Sequence, residues 1–388
     1  MKTITKILRE LNLQLHANTN VDYLYPEFWA SAFDGINKGQ YNLQNLINRD
    51  YENQVASFGD TVNVPLPPSF TASDWTPGSS ISPTAVTQTT AQVVLNKSKS
   101  VPFNLTGKEF SLSPYKLISD WGKPAAEAIL SQLNTDIYKE MIASQYVTDA
   151  TSSLTESKIV DARSALSNRK IGMMDRKIVG APDDMGTLMK LANFSQANIT
   201  GVTDVIQDGM ITSRYGFNFY ENNAIEKYTP VDLTGAVNLG AGYAAGTTTM
   251  VVDGFNDDAN PIRKGDIFTV AGSSAQYTVQ STTTSSSDTI GITFLPALDA
   301  AVVDDAVITF VATRSMLCFV PSATTLAARA YAPLPEGTGV KTAIIEYEGI
   351  PIRVCVFHDG SLGLTVQYDI LYGIKNIDTS RIHRILTA

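Results

Sequence analysis

The 388-residue sequence predicts an α+β fold, and three observations carry that prediction. Two alternating, strand-like segments at 61–67 and 91–106 flank a stretch almost free of charge. A long helical pattern runs through 111–145. A Thr/Val/Gly-rich stretch of short strand-like runs fills 228–313. With 44% apolar residues over this length, the chain can build two or three domains with cores of their own.

The elements follow in order. In MKTITKILRELNLQLHA, Ile4, Ile7, Leu8, Leu11 and Leu15 recur at helical spacing with Lys6, Arg9 and Glu10 between them. Charges interrupt any apolar run, so this reads as an amphipathic helix rather than a signal peptide, and no later stretch approaches the ~20 apolar residues of a membrane span. Residues 17–50 read as an irregular arm carrying the aromatic anchors Tyr23, Tyr25, Phe28, Trp29, Phe33 and Tyr41, so 1–52 form an N-terminal helix and arm.

Residues 53–110 read as a projecting β-hairpin. Val62, Val64 and Leu66 alternate on the way out, and Val101, Phe103 and Leu105 on the way back. Between Glu52 and Lys97 the only ionised side chains are Asp60 and Asp74. A loop far longer than the usual two to five hairpin residues, bearing aromatics and no charge, needs cover from outside its own domain. Phe58, Val62, Val64, Phe70, Trp75, Val101 and Phe103 are therefore the candidate contacts with a neighbouring subunit.

Residues 111–227 begin with the long helix, where Ser113 is a candidate cap and Pro124 a break or restart. Beyond it Ile129, Leu133, Ile137 and Met141 form one stripe with Leu130 beside them. A second helix is expected near 155–168, then a strand in RKIVGAP, a third helix opened by Pro182, and a strand in GFNFYEN. The all-β module at 228–313 shows five strand-like runs and reads as an insertion whose ends meet. In 314–388 the strands SMLCFVP, AIIEYEGIPIRVCVF and SLGLTVQYDILYGIKNI dominate, with a helix expected near 322–330 and a short exit.

No catalytic constellation emerges. His16, His358 and His383 form no metal-type pair, and FHDGS at 357–361 lacks the nucleophile elbow of a hydrolase. GAVNLGAGYAAG at 235–246 lacks the Lys-Ser/Thr ending of a phosphate loop and reads as turns, and DGFNDDANPIRKGD lacks the ligand spacing of a calcium loop. Asp183 and Asp184 suit a helix N-terminus. Cys318 and Cys355 sit in apolar runs as buried hydrophobes, which suits a reducing compartment. The net charge of -9 excludes a chain built as a whole to read nucleic acid, while leaving room for a local basic face. No enzyme, cofactor or metal is expected.

Taken in order, the motifs resemble those of tailed-bacteriophage major capsid proteins. NRDYENQVASFGDTVNVPLPP resembles the passage from arm to extended loop, VVLNKSKSVPFNLTGKEFSLS the returning strand, and the helix ending in IYKEMIAS the spine helix. GMITSRYGFNFYENN is similar to a Gly-spaced passage of the family, and EYEGIPIRVCVFHD and YDILYGIKNI to its C-terminal strands. The Thr/Val/Gly stretch around RKGDIFTVAG is similar to the inserted β domain of the P-twenty-two-type branch of the Hong Kong 97-type fold, and the resemblance begins near residue 20.

The resemblance implies an HK97-like subunit with an N-terminal arm, an extended loop at 53–110 and a spine helix within 111–145. It also implies an inserted barrel or immunoglobulin-like domain at 228–313 and axial-domain strands at 314–388. It implies self-assembly into hexamers and pentamers of an icosahedral shell, with a scaffolding protein, a portal and packaged double-stranded DNA as partners and a decoration protein as a further one. The location implied is the virion, assembled in the host cytoplasm. Two other readings stay open: a β-rich binding or adhesion protein that uses 228–313, and a cargo-enclosing compartment of the same fold.

Overall fold

The computed structural model describes residues 26–36, 41–50, 61–68, 70–72, 74, 76–80, 86, 88–106, 118–196, 209, 211–230, 233–255, 262–283, 289–312, 314–335, 339–358 and 363–387. The expected N-terminal helix, Ser113, Phe58 and Trp75 lie outside them. Backbone contacts divide the chain into two compact units. One comprises Met1–Ile36, Arg49–Leu130 and Leu326–Lys375, the other Asn37–Asn48, Ser131–Thr325 and Asn376–Ala388.

Strands β1 (Thr61–Pro65), β2 (Thr90–Val94) and β3 (Lys97–Leu105) precede the long helix Lys123–Met141. After it come β4 (Val147–Asp149), β5 (Lys177–Gly180), β6 (Ser213–Arg214) and β7 (Phe217–Glu221). Next are β8 (Thr234–Val237), β9 (Thr249–Asp253), β10 (Ile267–Val270), β11 (Tyr277–Thr282), β12 (Ile290–Leu295) and β13 (Val307–Phe310). The chain ends through β14 (Arg314–Phe319), β15 (Thr324–Arg329), β16 (Val340–Tyr347), β17 (Ile350–His358), β18 (Leu364–Asn376) and β19 (Ile382–Thr387).

In the first unit, a sheet ordered β15-β18-β17-β16 carries β3 paired on β18, while β1 and β2 form a two-stranded sheet of their own. The β16–β17 hairpin closes through Glu348 and Gly349, both at positive φ (50° and 80°), the backbone that a two-residue turn between right-twisting strands requires. Arg49 fixes this turn by donating from Nη1 to the Glu348 carbonyl at 2.7 Å.

In the second unit, a six-stranded sheet runs β4-β19-β14-β5-β7-β6. The helix Glu156–Asn168 buries Ile159, Ala162 and Leu166 in the same apolar cluster as Ile178, Met316 and Ile385 of the sheet. Strands β5 and β7 are parallel, so the chain must cross over between them, and the helix Pro182–Met189 lies on that crossover. Pro182 occupies the first turn, where its missing N–H costs nothing, and Asp183 and Asp184 follow it; both bond Arg314, at 3.1 and 3.5 Å.

The all-β stretch closes into a barrel ordered β10-β11-β12-β9-β8-β13. Its strands are contiguous in sequence, between β7 and β14 of the six-stranded sheet. Its interior is aromatic. Phe268 stacks on Tyr277 at 5.4 Å and meets Phe294 edge-on, and Tyr277 directs its hydroxyl to Asp299 at 2.6 Å.

The long helix keeps its expected stripe: Ile129, Leu130, Leu133, Ile137 and Met141 are all buried, and Pro124 is its second residue, where proline is tolerated. Four expectations change. Residues 322–330 are not a helix but a short 3-10 turn, Pro321–Ala323, followed by β15, because burial across a sheet outweighs the helical preference of Leu and Ala. Residues 235–237 are a barrel strand rather than turns; Gly235 is needed there because a Cβ would collide with the Phe255 ring and the Asp253 carbonyl. Residues 91–106 are two strands in two sheets, and the expected short exit is a fully buried strand, β19. Cys318 and Cys355 are buried free thiols, as their apolar settings predict.

Candidate functional site

Of the sequence-predicted contacts, Val62 and Val64 lie on strand β1 of the β1–β2 hairpin and Phe70 lies beyond that strand. The strands of this hairpin pair from Thr61↔Val94 to Pro65↔Thr90, and Leu66 N–H adds a bond to the Thr89 carbonyl at 2.9 Å. Alternation places Val62, Val64 and Val93 on one face, and that face is covered by the chain itself: Val62 and Val64 are each 4% exposed. Beyond the strands the surface opens. Phe70 is 76% exposed, Val86 54% and Val94 42%. The exposed apolar side chains thus lie beyond strand β1 and on the outer face of β2, not on the inward valines.

Val101 and Phe103 stand on β3, opposite Tyr368 and Val366 of β18. Phe103 is engaged within its own unit by Trp29 at 5.4 Å, Tyr368 at 6.0 Å and Trp121 at 6.5 Å. The arm lies on the same sheet. Trp29 is fully buried, its carbonyl accepts from the Tyr368 hydroxyl at 2.9 Å, and Phe33 packs on Tyr347 and Tyr368. The aromatics of 28–33 therefore satisfy each other and the sheet, which a linear sequence does not reveal.

The root of the hairpin depends on one glycine. β18 runs beneath the β2–β3 connection, and a Cβ at Gly373 would drive into the Val94 carbonyl and Leu95 N. Neither obstacle is a flexible side chain. Gly373→Ala is expected to destabilise the chain by about 1–3 kcal/mol, read from the denaturant midpoint, because the backbone must move to admit the methyl. An unchanged midpoint would show that the hairpin root does not bear on β18.

A second anchor went unseen in the sequence: a buried amide network in the other unit. Asn134 on the long helix accepts from Leu43 N at 2.9 Å and from Asn222 Nδ2 at 3.2 Å, and donates to Gln44 Oε1 at 2.8 Å. Such a network holds residues 42–44 in one register, since a half-made version leaves buried donors unpaired.

The barrel is joined to the rest of its unit by polar contacts. Lys264 bonds Glu140 at 2.7 Å, Gln280 donates to the Ala143 carbonyl at 2.7 Å, and a Cβ at Gly265 would strike Ile142. Asp266 lies at this seam, with one oxygen accepting from Arg263 N at 2.7 Å. Burial pushes its carboxyl up to about 7, opposed by the Arg263 N–H and by the charges of Arg263 and Arg384. On β19, burial and then Arg169 push the His383 imidazole down to about 4.

These shifts have opposite signs in stability. Between pH ~4 and ~7 folded Asp266 holds a proton that the unfolded chain has released, so its contribution falls as pH rises, by ~4 kcal/mol in all. His383 is harder to protonate folded than unfolded, so its contribution rises with pH from about 4 to about 6.5, by ~3 kcal/mol. Asp266→Asn is expected to remove the first slope. The variant should gain stability steadily from pH 4 to 6.5 and exceed the parent at neutral pH, as denaturant midpoints would show; parallel pH profiles would contradict this.

Nothing in the described residues assembles a reaction centre. His383 bonds Thr148 and Arg169, and Asp183 and Asp184 are committed to Arg314. Among the described residues no three His, Cys, Asp or Glu side chains group as metal ligands, and no helix is long and apolar enough to cross a membrane. His16 and most of 357–361 lie outside the described residues.

No family model matches the sequence, and no curated protein matches it. Among solved structures, the chain is similar to that of Mycobacterium phage Che8, at 12% identity over 88% of this chain and 89% of that one, with a TM-score of 0.50. It is similar also to the asymmetric unit of the bacteriophage PhiM1 mature capsid, at 11% identity over 91% of this chain and 89% of that one, with a TM-score of 0.50. At such identities the likeness concerns the fold alone, which is capsid-like.

Proposed function

We propose that the chain is the major capsid protein of a tailed bacteriophage, the repeated subunit of an icosahedral shell around double-stranded DNA. The observation that carries the reading is the β1–β2 hairpin, which ends in exposed apolar side chains and almost no charge on a chain with a capsid fold. A lone soluble protein gains nothing from such a surface, whereas a subunit that lays it on the next copy buries it at every contact. In this reading the fold is of the Hong Kong 97 type, the barrel is an insertion at 228–313, and residues 53–110 are the extended loop. The role is structural rather than catalytic, and the protein belongs to the virion after assembly in the host cytoplasm.

Copies of the chain are its principal partners, as hexamers and pentamers. A scaffolding protein, a portal and packaged DNA are the others the reading requires, and the barrel offers a surface for a decoration protein. Expression of the chain, with its scaffold where one is identified, followed by electron microscopy and sedimentation, tests the proposal. Shells, or five- and six-fold rings, support it. A monomer under all conditions opposes it, and shells loaded with protein cargo instead of DNA would favour the compartment reading.

A further inference from the structure

The chain is acidic overall, yet residues 156–177 carry six basic side chains (Lys158, Arg163, Arg169, Lys170, Arg176 and Lys177) against three acidic ones. Residues 169–172 and 174 of this segment line a cleft of about 360 Å³ together with Ser322, Asp378, Ser380 and Arg381. Three of the lining side chains are cationic, Arg169, Lys170 and Arg381, and one, Asp378, is anionic.

The internal pairing leaves cationic capacity over. Asp378 is consumed by Arg381 Nε at 2.9 Å and by Ser380, and Arg381 Nη1 is placed on Ser322 Oγ at 2.7 Å. Arg169 is held edge and face: Nε donates to the Ala165 carbonyl at 3.2 Å, Nη2 lies 3.3 Å from His383 Nδ1, and its Cζ sits 3.9 Å from the centre of the Tyr146 ring. A guanidinium fixed on an aromatic face, beside an exposed lysine and a second arginine, is arranged for an oxyanion with several acceptor oxygens.

We infer that this cleft is an oxyanion site that takes phosphodiester groups of a nucleic-acid backbone. Phosphate fits better than a single carboxylate because the three cations come from two chain segments, 169–170 and 381, so a group with oxygens pointing more than one way meets more of them. The net charge of -9 keeps the contact of one copy weak, which many copies on one surface would multiply without halting movement of the nucleic acid. The cleft itself does not depend on the shell reading; only the source of the nucleic acid rests on it.

The test uses the full chain, unassembled, with a short DNA duplex, inorganic phosphate and poly-glutamate as probes. With two to three phosphates neutralised, duplex affinity is expected to fall roughly thirty-fold between 50 and 200 mM salt, and inorganic phosphate to compete. Lys170→Gln and Arg381→Gln should each lower the salt slope by about one, reducing that loss to roughly ten-fold. Lys170 is exposed, so its variant stays folded even if changes at Arg169 disturb the Tyr146 stack. Unchanged slopes in both variants would overturn the inference. So would poly-glutamate binding as well as duplex, which would assign the cleft to an acidic protein segment, or inorganic phosphate binding without duplex. Sedimentation of the same variants reports shell formation separately, so loss of the phosphate site and failure of the shell reading give different results.

Discussion

Deleting residues 69–90 is expected to abolish shell and ring formation while leaving a folded subunit. The deleted residues include Phe70 and Val86, both largely exposed, and only the first residue of β2. The covered valines Val62, Val64 and Val93 remain, so the unfolding free energy should stay within about 1 kcal/mol of the parent, helped by the lower closure cost of a shorter loop. Assembly is affected far more. A large apolar side chain buried against a neighbour contributes roughly 1.5–3 kcal/mol, and a specific interface needs an area that few other described apolar side chains of this unit could replace. Sedimentation and electron microscopy of the variant, beside its denaturant midpoint, provide the check. Persistent shells would refute the hairpin as the interface; a collapsed midpoint would show that the loop belongs to the fold of its own chain.

The largest effect on the subunit's own stability is expected at Asp369. On paired strands β17 and β18, Arg353 faces Asp369 in register, with Nε–Oδ1 at 3.0 Å and Nη2–Oδ2 at 2.6 Å. The carboxylate is almost wholly buried and its hydrogen bonds push the Arg353 guanidinium further up in basicity. Arg353 also donates to the Ala332 carbonyl at 2.6 Å and lies over the Tyr331 ring, so the pair ties the loop after β15 to the sheet. Asp369→Ala leaves a guanidinium buried without its counter-charge, and a loss of about 3–5 kcal/mol is expected in chemical denaturation. Replacing both partners, Arg353→Met with Asp369→Leu, should restore most of that loss, because the cost lies in the orphaned charge. A double variant as unstable as the single one would contradict this account.

Much of the architecture was legible in residue order because local periodicity and local turn chemistry decide it. The stripe from Ile129 to Met141 is a helix wherever it packs, and the short alternating runs from 247 to 312 can only be barrel or sandwich strands. What failed were segments whose conformation is set by partners distant in sequence. TTLAAR has the composition of a helix and becomes β15 because both of its faces are buried in a sheet. The IHRILT segment at 382–387 carries His and Arg between apolar residues and looks like a polar exit, yet β14 and β4 flank it on both edges. The hairpin shows the same division at a finer scale. The missing charge marked a surface in need of cover, but the strand valines find theirs within the chain, and only the structure separates them from Phe70.

By itself, then, the sequence determined the classes of element, the contiguity of the barrel strands and the uncharged loop, since each is written in spacing over a few residues. The tertiary structure alone decided which apolar faces are already satisfied and how Arg353 meets Asp369. It alone brought Arg169, Lys170 and Arg381 to one cleft, because pairing, burial and charge balance depend on neighbours that chain order does not name.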